Sequence, residues 1–264
     1  MTLRIAHLSD IHFGGEEAAA VEAAVGAVAE FAPTLTAVTG DLTLNGLPRE
    51  FASARDWLAR LPGPRMVTPG NHDTPYWNLI LRSFTPFDRY RRYIGPPGAA
   101  GVDRPGIAAR CLNSARGAQP RLNWSKGAIA LDQLRRIDWG EPSPAKLKLF
   151  ACHHPLIDFA DEPVTGAVRR GAQAAVILAQ AGVELILTGH VHIPFVMPHT
   201  GGAPGCYALG AGTLSVRTRG APASFSTIVA DDTAFEITAL AWTGGRFETM
   251  KSWRLPRRGG AELH

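Results

Sequence analysis

The sequence predicts an α/β protein in which two packed sheets are flanked by helices. Three observations lead to this class. Short apolar runs alternate with helical segments between residues 3 and 68, and a similar alternation returns between residues 107 and 192. After Phe195 the pattern changes to short strands separated by turns, with no helical segment between them. Alternating strands and helices are typical of a sheet covered by helices, and we expect the final strands to need a partner sheet.

The first five elements alternate regularly between strand and helix. The apolar run Leu3–Ser9 predicts a buried strand. Glu16–Glu30 is rich in alanine and valine and has glutamates at its start, which predicts a helix. Thr34–Thr39 is rich in β-branched residues and predicts a second strand. Pro48–Leu61 predicts a helix with proline in its first turn, and Arg65–Thr68 predicts a third strand.

The middle of the chain is less regular. Trp77–Tyr93 predicts a helix broken at Pro86, and the residues Gly95–Gly106, rich in glycine and proline, predict a loop. Strands and helices then alternate again, and the predicted elements are Ile107–Asn113, Ala128–Ile137, Leu147–Cys152, Ala172–Ala181 and Glu184–Leu187.

The last part of the chain predicts strands only. We expect residues 195–256 to form a second, mostly antiparallel sheet from Cys206–Leu209, Ser224–Val229, Phe235–Ala241 and Glu248–Trp253. A domain boundary near residue 195 is the obvious candidate, but these strands need a partner sheet. We therefore predict a single domain over residues 1–256, followed by a frayed polar tail at 257–264.

Composition excludes some classes of protein. The chain has 264 residues and is 45% hydrophobic, which provides a sizeable core. It has no stretch of about 18 apolar residues, so we expect no membrane span. It also starts directly with a strand-like run instead of a signal peptide, and its three cysteines are an odd number without CxxC spacing. We therefore expect a cytoplasmic protein with reduced thiols, and its oligomeric state stays open.

Five short polar motifs carry the functional signal. Each motif follows an apolar run, so each is predicted to lie where a strand ends. The motifs are Ser9-Asp10-Ile11-His12, Gly40-Asp41, Gly70-Asn71-His72-Asp73, His153-His154-Pro155 and Gly189-His190-Val191-His192. Strand ends that converge on one rim would bring these oxygen and nitrogen ligands together. Carboxylate, imidazole and amide ligands suit Mn, Fe or Zn, so the sequence predicts a pocket for two divalent transition-metal ions.

All five motifs, in this order, resemble the signature of the calcineurin-like binuclear metallophosphoesterases. The resemblance covers residues 8–192 and implies a four-layer α/β/β/α sandwich, the metallophosphoesterase fold. It also implies a ligand set for each ion. Asp10, His12 and His192 would hold the first ion, and Asp41 would bridge both. The remaining ligands, which would hold the second ion, are Asn71, His153 and His190.

The resemblance further implies a catalytic role for His72, which would contact the phosphoryl oxygen or protonate the leaving group. Family members often have an acidic residue three positions after the bridging aspartate that orients this histidine, but this chain has Leu44 there. Asp73 is one alternative partner for His72. We expect His154 to support the site or to pack beside it, and His7 to lie in the core.

The family resemblance points to hydrolysis of a phosphodiester by a metal-bridging hydroxide. Leu44 argues against the purple acid phosphatases, which have a tyrosine ligand at that position. The Gly-Asn-His-Asp and His-His-Pro motifs are most similar to the bacterial cyclic-nucleotide phosphodiesterases. We therefore predict a small phosphorylated substrate, possibly a nucleotide. Two alternatives stay open, namely a nuclease or DNA-processing enzyme and a metal-free scaffold with this fold.

The net charge of +4 is concentrated in one segment. Residues 78–126 contain nine basic and two acidic residues, a net charge of +7, so we predict that they form a basic insert or lid over the site. This charge is also the reason for keeping nucleic acid as a less favoured partner. Aromatic residues in the same region could stack on a base, although the apolar face of a helix would explain them equally.

Charge reversal tests whether this segment binds substrate. If Arg89, Arg91 and Arg92 contact an anionic substrate, their replacement by glutamate should raise KM because attraction becomes repulsion. Steady-state kinetics measure this effect, and an unchanged KM would exclude these three arginines from substrate binding.

Overall fold

The computed structural model describes residues 1–98, 101–120, 123–140, 146–157, 168–199 and 205–258. The strands are β1 (Leu3–Leu8), β2 (Leu35–Thr39), β3 (Arg65–Thr68), β4 (Gly101–Arg104), β5 (Ile107–Cys111), β6 (Leu147–Ala151), β7 (Leu185–Thr188), β8 (Phe195–Pro198), β9 (Tyr207–Gly210), β10 (Ser224–Ala230), β11 (Ala234–Trp242) and β12 (Phe247–Pro256). The helices are α1 (Ala18–Phe31), α2 (Pro48–Arg60), α3 (Leu79–Phe84), α4 (Asp88–Tyr93), α5 (Leu131–Arg135) and α6 (Gly171–Gln180).

The strands form two mixed sheets of six strands each. The first sheet has the order β12-β11-β10-β1-β2-β3, in which β1, β2 and β3 are parallel and β10 runs antiparallel to β1. The second sheet has the order β4-β5-β6-β7-β9-β8, in which β5, β6, β7 and β9 are parallel and the two edge strands are antiparallel. The parallel strands within each sheet therefore have their carboxyl ends on the same side.

The side chains of each central strand alternate between two cores. In β1, Leu3 and Ile5 belong to the cluster shared by the two sheets, whereas Ala6 and Leu8 pack in a different cluster with α1 and α2. On the opposite side of the molecule, Phe150 of β6 packs in a third cluster with α5 and α6. This arrangement confirms the predicted α/β fold with two mixed sheets flanked by helices.

The C-terminal strands join a different sheet from the one expected. The sequence predicted that residues 195–256 would form the second sheet, but β10, β11 and β12 extend the first sheet beyond β1. Of the described strands after residue 194, β8 and β9 are the ones that lie in the second sheet. The pattern of apolar residues identified these strands but did not show which free edge they pair with. The edge of β1 opposite β2 takes up β10, with Ile5 beside Ile228.

Two further details differ from the expectation. β4 lies inside the predicted loop Gly95–Gly106 because it pairs with β5 at a sheet edge. Arg257, assigned to the polar tail, is buried and donates to the carboxylate of Glu184 over 2.8 and 3.1 Å. Residues 259–264 of that tail lie outside the described residues. The break at Pro86 is confirmed, since α3 and α4 lie on either side of it.

The three cysteines, Cys111, Cys152 and Cys206, are buried. Among the described helices, none has the length and apolar character needed to cross a membrane.

The Glu184–Arg257 pair connects the two sheets, because Glu184 precedes β7 and Arg257 follows β12. Glu184→Ala leaves the buried guanidinium without its counter-charge, so the free energy of unfolding should fall by about 3–5 kcal/mol. Urea denaturation measures the change. In the matched control, Glu248→Ala removes an exposed partner of Arg246 and should leave the midpoint unchanged. Equal shifts in the two variants would contradict a structural role for the buried pair.

Candidate metal centre

The five polar motifs follow the carboxyl ends of β1, β2, β3, β6 and β7. Hydrogen bonds connect the motifs between the sheets. The amide of His190 donates to Asp10 Oδ2 over 2.9 Å, and His153 Nδ1 lies 2.7 Å from the carbonyl oxygen of Thr39. The packing of the sheets therefore brings the predicted ligands to one rim.

The first group of potential ligands comprises Asp10, His12 and His192, all of them buried. His192 Nε2 lies 3.1 Å from Asp10 Oδ1 and 3.3 Å from His12 Nε2. His12 Nε2 also lies 3.8 Å from a carboxylate oxygen of both Asp10 and Asp41. Ligand atoms so close to one another, on side chains from three separate motifs, are able to bind a common cation.

The second group is centred on Asp41 and His153. His153 Nε2 lies 3.3 Å from Asp41 Oδ2, and Asp10, Asp41 and His153 form one cluster of potential ligands. Asp41 also belongs to a cluster with His12 and His72, so its carboxylate adjoins both groups. The His153 ring packs against that of His190, with 5.2 Å between the ring centroids.

Within the described part of the chain, three buried atoms at this rim form no hydrogen bond, namely Asp10 Oδ1, Asn71 Oδ1 and His153 Nε2. Two of them face another potential ligand atom instead, Asp10 Oδ1 that of His192 and His153 Nε2 that of Asp41. Buried polar atoms are normally hydrogen-bonded, and the oxygen and nitrogen types found here are good metal ligands. The residues present therefore fit the divalent cations that the motifs predict.

The opposite ring nitrogens fix the imidazoles in place. The Nδ1 atoms of His12, His153 and His192 lie 3.3, 2.7 and 2.6 Å from the carbonyl oxygens of Thr43, Thr39 and Arg217, respectively. A carbonyl oxygen only accepts hydrogen bonds, so each Nδ1 donates and each Nε2 is left facing the rim. A metal-ligating histidine is usually oriented by a bond of this kind.

Electrostatics favour the ionised carboxylates that metal binding requires and, at His12 and His190, the neutral imidazole. Burial raises the pKa of Asp10 and Asp41, but nearby histidines outweigh it and hold the pKa of both carboxyls well below the usual range. Burial lowers the pKa of His12 and His190 to about 3. His153 differs, because Asp41 outweighs the effect of burial and raises the pKa of His153 to about 9.

The backbone at the rim is unusual. Five of the seven predicted ligands have positive φ angles, which lie between 50° and 71°: Asp10, His12, Asp41, His190 and His192. This region is unfavourable for residues other than glycine, and it persists where the surrounding structure imposes it. The sharp turns after β1, β2 and β7 carry these five residues.

Glycines precede three of the ligands, Asp41, Asn71 and His190, because the motifs pass very close to one another. A Cβ atom on Gly189 would overlap the Ser9 hydroxyl and the Asp10 carboxylate. A Cβ on Gly70 would overlap the backbone and side chain of Asp41. These close approaches explain why a glycine stands immediately before Asn71 and before His190.

Asp73 does not orient His72, in contrast to the alternative considered from sequence. The buried carboxylate of Asp73 accepts hydrogen bonds from the amides of Leu42, Thr43 and Gly70 and from the Thr43 hydroxyl, at 2.9–3.2 Å. Burial and the charge of Asp41 raise its pKa to about 7, and these donors oppose that shift. Asp73 thus joins the loops that carry Asp41 and Asn71.

His72 is oriented by Leu44 itself. His72 Nδ1 lies 2.7 Å from the backbone carbonyl oxygen of Leu44, so the apolar side chain at this position does not matter. His72 Nε2 lies 3.0 Å from an Arg217 guanidinium nitrogen. Arg217 is a residue that the sequence did not single out, because it belongs to none of the five motifs.

His154 lies beside the second group but uses both of its ring nitrogens elsewhere. Nδ1 lies 2.8 Å from the Ser114 hydroxyl, and Nε2 lies 2.7 Å from the Ser125 carbonyl oxygen. His7 is buried, and its Nε2 lies 3.0 Å from the Thr39 hydroxyl. Both positions agree with the supporting and core roles expected from the sequence.

A comparison with protein families identifies residues 3–194 as a match to the calcineurin-like phosphoesterase model. This match covers most of the chain. The chain belongs to the calcineurin-like phosphoesterase family.

Relatives of this phosphoesterase support the same assignment. A probable cyclic nucleotide phosphodiesterase of Synechococcus sp. is 27% identical over 207 residues, which cover 74% of this chain and 76% of that protein. A dimetal phosphatase from Danio rerio has a TM-score of 0.65 at 12% identity, covering 97% of this chain and 99% of the other. Purple acid phosphatase PPD1 from yellow lupin has the same TM-score and identity, and the match covers 98% of this chain but only 54% of the plant chain. Both solved structures have the same fold as this chain.

A cleft of about 790 Å³ opens next to the metal centre of this phosphoesterase. Asn71 and His72 form part of its wall. The other residues of interest in its lining are aromatic or basic: Tyr76, Trp77, Trp124, Arg82 and Arg217. The volume is in the range of sites for small molecules.

The three arginines predicted to bind substrate have other contacts. Arg89 donates to the Gly46 carbonyl oxygen over 2.7 Å, Arg91 pairs with Asp88, and Arg92 lies over the ring of Tyr93. Among the described residues, the basic side chains in the cleft lining are those of Arg82 and Arg217 instead. The basic segment does reach the cleft, through Arg82 of α3, and a role for the other three arginines stays a prediction.

The position of Asp73 predicts an effect on metal binding. Asp73→Asn would place an amide group against backbone N–H donors and loosen the loops that carry Asp41 and Asn71. We expect the affinity for Mn²⁺ to fall by about 10–100-fold, as for other residues that support metal ligands. Titration calorimetry measures this affinity. Asp88→Asn, an exposed change in α4, is the matched control, and equal affinities in the two variants would contradict the role given to Asp73.

Proposed function

We propose that this protein is a metal-dependent phosphoesterase that hydrolyses a small phosphodiester, such as a cyclic nucleotide, at a binuclear centre. The observation that carries the proposal is a set of three buried atoms that form no hydrogen bond with the described residues, Asp10 Oδ1, Asn71 Oδ1 and His153 Nε2, on three different motifs. Asp41 lies between the two groups of potential ligands, so one carboxylate can serve both.

The proposed ligand set divides between the two ions. Asp10, His12 and His192 would hold one ion, and Asp41 would be shared. The ligands of the other ion would be Asn71, His153 and His190. When bound, divalent ions supply positive charge for the phosphoryl oxygens and lower the pKa of water. Mn, Fe and Zn all suit these ligands.

Residues beside the predicted ligands would define where the substrate's phosphoryl group lies. His72 stands beside the ligands, with its ring held at both nitrogens. Asp73 fixes the loops beneath it. Asn71 and His72 line the cleft, so a substrate bound there could place its phosphorus next to the proposed metal centre.

The cleft supports a small substrate with an apolar or aromatic part. In the cleft wall, the side chains of Trp77 and Tyr76 are 76% and 46% exposed. The guanidinium carbon of Arg82 lies 5.9 Å from the centroid of the Trp124 ring. Aromatic rings stack on nucleobases, and arginines attract phosphates. The name of the Synechococcus relative, a probable cyclic nucleotide phosphodiesterase, points to the same substrate class.

A nuclease is the second candidate function. The net charge of +7 on residues 78–126 favours it, since exposed Arg91 and Arg92 lie outside the cleft and could contact a longer polyanion. Binding to single-stranded DNA that weakens steeply with salt, together with DNA hydrolysis, would favour this function over a cyclic-nucleotide substrate.

A substrate panel with an Asn71 variant tests the proposal. The panel comprises bis-p-nitrophenyl phosphate, 2′,3′- and 3′,5′-cyclic nucleotides, glycerophosphodiesters and single-stranded DNA, each with Mn²⁺, Fe²⁺ or Zn²⁺. We expect turnover of a small diester and its loss in Asn71→Ala, because the second ion would lose a ligand.

Two controls accompany this panel. Asn45→Ala removes the same side chain outside the ligand set and should retain turnover. Metal analysis of the purified protein should find transition metal, and its absence under all loading conditions would favour a scaffold. Full activity of Asn71→Ala would show that the second ligand set is wrong.

A further inference from the structure

Helix α3 is turned the opposite way from an ordinary surface helix. Its arginine, Arg82, is only 6% exposed, whereas its apolar residues Leu79, Ile80 and Phe84 are 61–82% exposed. A helix on the surface of a protein normally buries its apolar side chains and exposes its charged ones. The orientation of α3 therefore places a guanidinium inside the protein at the expense of apolar burial.

The buried Arg82 side chain forms part of the wall of the 790 Å³ cleft. Its Nε donates to the Gly117 carbonyl oxygen over 3.0 Å, and its guanidinium carbon lies 5.9 Å from the centroid of the Trp124 ring. The other arginine buried among the described residues, Arg257, has the carboxylate of Glu184 as its counter-charge. Within the same part of the chain, no carboxylate pairs with Arg82.

The guanidinium of Arg82 has donors to spare. A guanidinium carries five N–H groups, and the single one on Nε is bound to Gly117. The four on the terminal nitrogens have no acceptor among the described residues. Burial of a charge without a counter-charge is costly, and arginine stays charged at every relevant pH. The side chain is therefore suited to an anion that the described chain does not supply.

The position of Arg82 is separate from the proposed metal centre. At the His72 end of the cleft, another arginine, Arg217, lies 3.0 Å from His72 Nε2. Arg82 instead contacts Gly117 and Trp124, which belong to the connection between β5 and α5. Among the described residues, no aspartate or glutamate lines the cleft. The cleft thus offers positive charge at two places and no negative side chain to neutralise it.

Building on the proposed phosphoesterase function, we propose that Arg82 selects substrates that carry a second anionic group, a phosphate or a carboxylate, besides the phosphodiester that is hydrolysed. The planar fork of a guanidinium matches both groups, since each presents two oxygens to it. A simple cyclic nucleotide has a single negative charge. Arg82 therefore narrows the proposed substrate class to diesters with at least two.

Two matched pairs of p-nitrophenyl diesters test this preference in the Mn²⁺-loaded wild type. The first pair is thymidine 5′-(p-nitrophenyl phosphate) with and without a phosphate on O3′. The second pair is the p-nitrophenyl phosphodiester of glycolate and that of ethanol, in which a methyl group replaces the carboxylate. We expect kcat/KM to be about 10–100-fold higher for the doubly anionic member of one pair, the magnitude of hydrogen bonds to a charged group. The pair that responds distinguishes phosphate from carboxylate.

Variants of Arg82 assign the preference to this side chain. Arg82→Met should lower kcat/KM by about 10–100-fold for the doubly anionic substrate and only slightly for its singly charged counterpart. Arg82→Lys should keep part of the preference because it keeps the charge. Arg55→Met is the matched control, since Arg55 is exposed on α2 and pairs with Asp56, and it should keep the full preference. A merely structural Arg82 would lower both members of a pair by the same factor, which would overturn the inference.

Ligand binding gives a second readout that does not depend on turnover. Tryptophan fluorescence can follow it, because Trp124 lies beside Arg82. The wild type should bind thymidine 3′,5′-bisphosphate more tightly than thymidine 5′-phosphate, or 2-phosphoglycolate more tightly than ethyl phosphate, and Arg82→Met should abolish the difference. If circular dichroism shows that Arg82→Met is unfolded, Arg82→Gln decides in its place, because its amide can still donate to the Gly117 carbonyl oxygen.

The outcomes separate this inference from the proposed function. Turnover of bis-p-nitrophenyl phosphate without a preference in either matched pair overturns the role of Arg82, while the wild type remains a phosphoesterase. A preference that persists in folded Arg82→Met or Arg82→Gln overturns it as well. No turnover of any diester by the metal-loaded wild type counts against the proposed function, and the fluorescence titration then decides whether Arg82 binds the second anion.

Discussion

The candidate metal centre depends on the packing of the two sheets with their parallel strands ending at the same rim. Neither sheet has the potential ligands alone. β1, β2 and β3 provide Asp10, His12, Asp41 and Asn71, and β6 and β7 provide the other histidines. The contacts of Asp10 with the His190 amide and of His153 with the Thr39 carbonyl align these two sets. The apolar cluster between the sheets therefore sets the separation of the ligands, and the Glu184–Arg257 pair connects the sheets elsewhere.

Burial and backbone strain at the rim have a common cause. The inward turn after each strand places carboxylates and imidazoles where water is excluded, and their mutual contacts hold the carboxylates ionised. Several of these buried atoms form no hydrogen bond within the described part of the chain. Stability is thus given up locally in favour of ligand geometry, which is characteristic of functional sites. Asp73 accepts four hydrogen bonds and thereby stabilises the loops that carry Asp41 and Asn71.

The sequence predicted the parts of the structure that depend on local pattern. Apolar runs located most strands, and Pro86 located the break between α3 and α4. The five motifs located the rim residues. Long-range relationships were less accessible. Strand pattern did not show that β10 pairs with β1, because either sheet offers an edge with the same chemistry. Side-chain identity could not show that the orienting group of His72 is the backbone of Leu44, since every residue has a carbonyl. Arg217 and Arg82 reach the cleft only through the tertiary fold.

The pairing of β1 with β10 has a consequence for the order of events in biosynthesis. Leu3 lies beside Ala230, so β1 leaves the ribosome long before its neighbour β10 has been made. Until then its open edge is exposed to other chains, because an unpaired strand is a template for aggregation. A topology with such distant contacts also folds slowly. The nascent protein is therefore a natural client for factors that shield unpaired strands during translation.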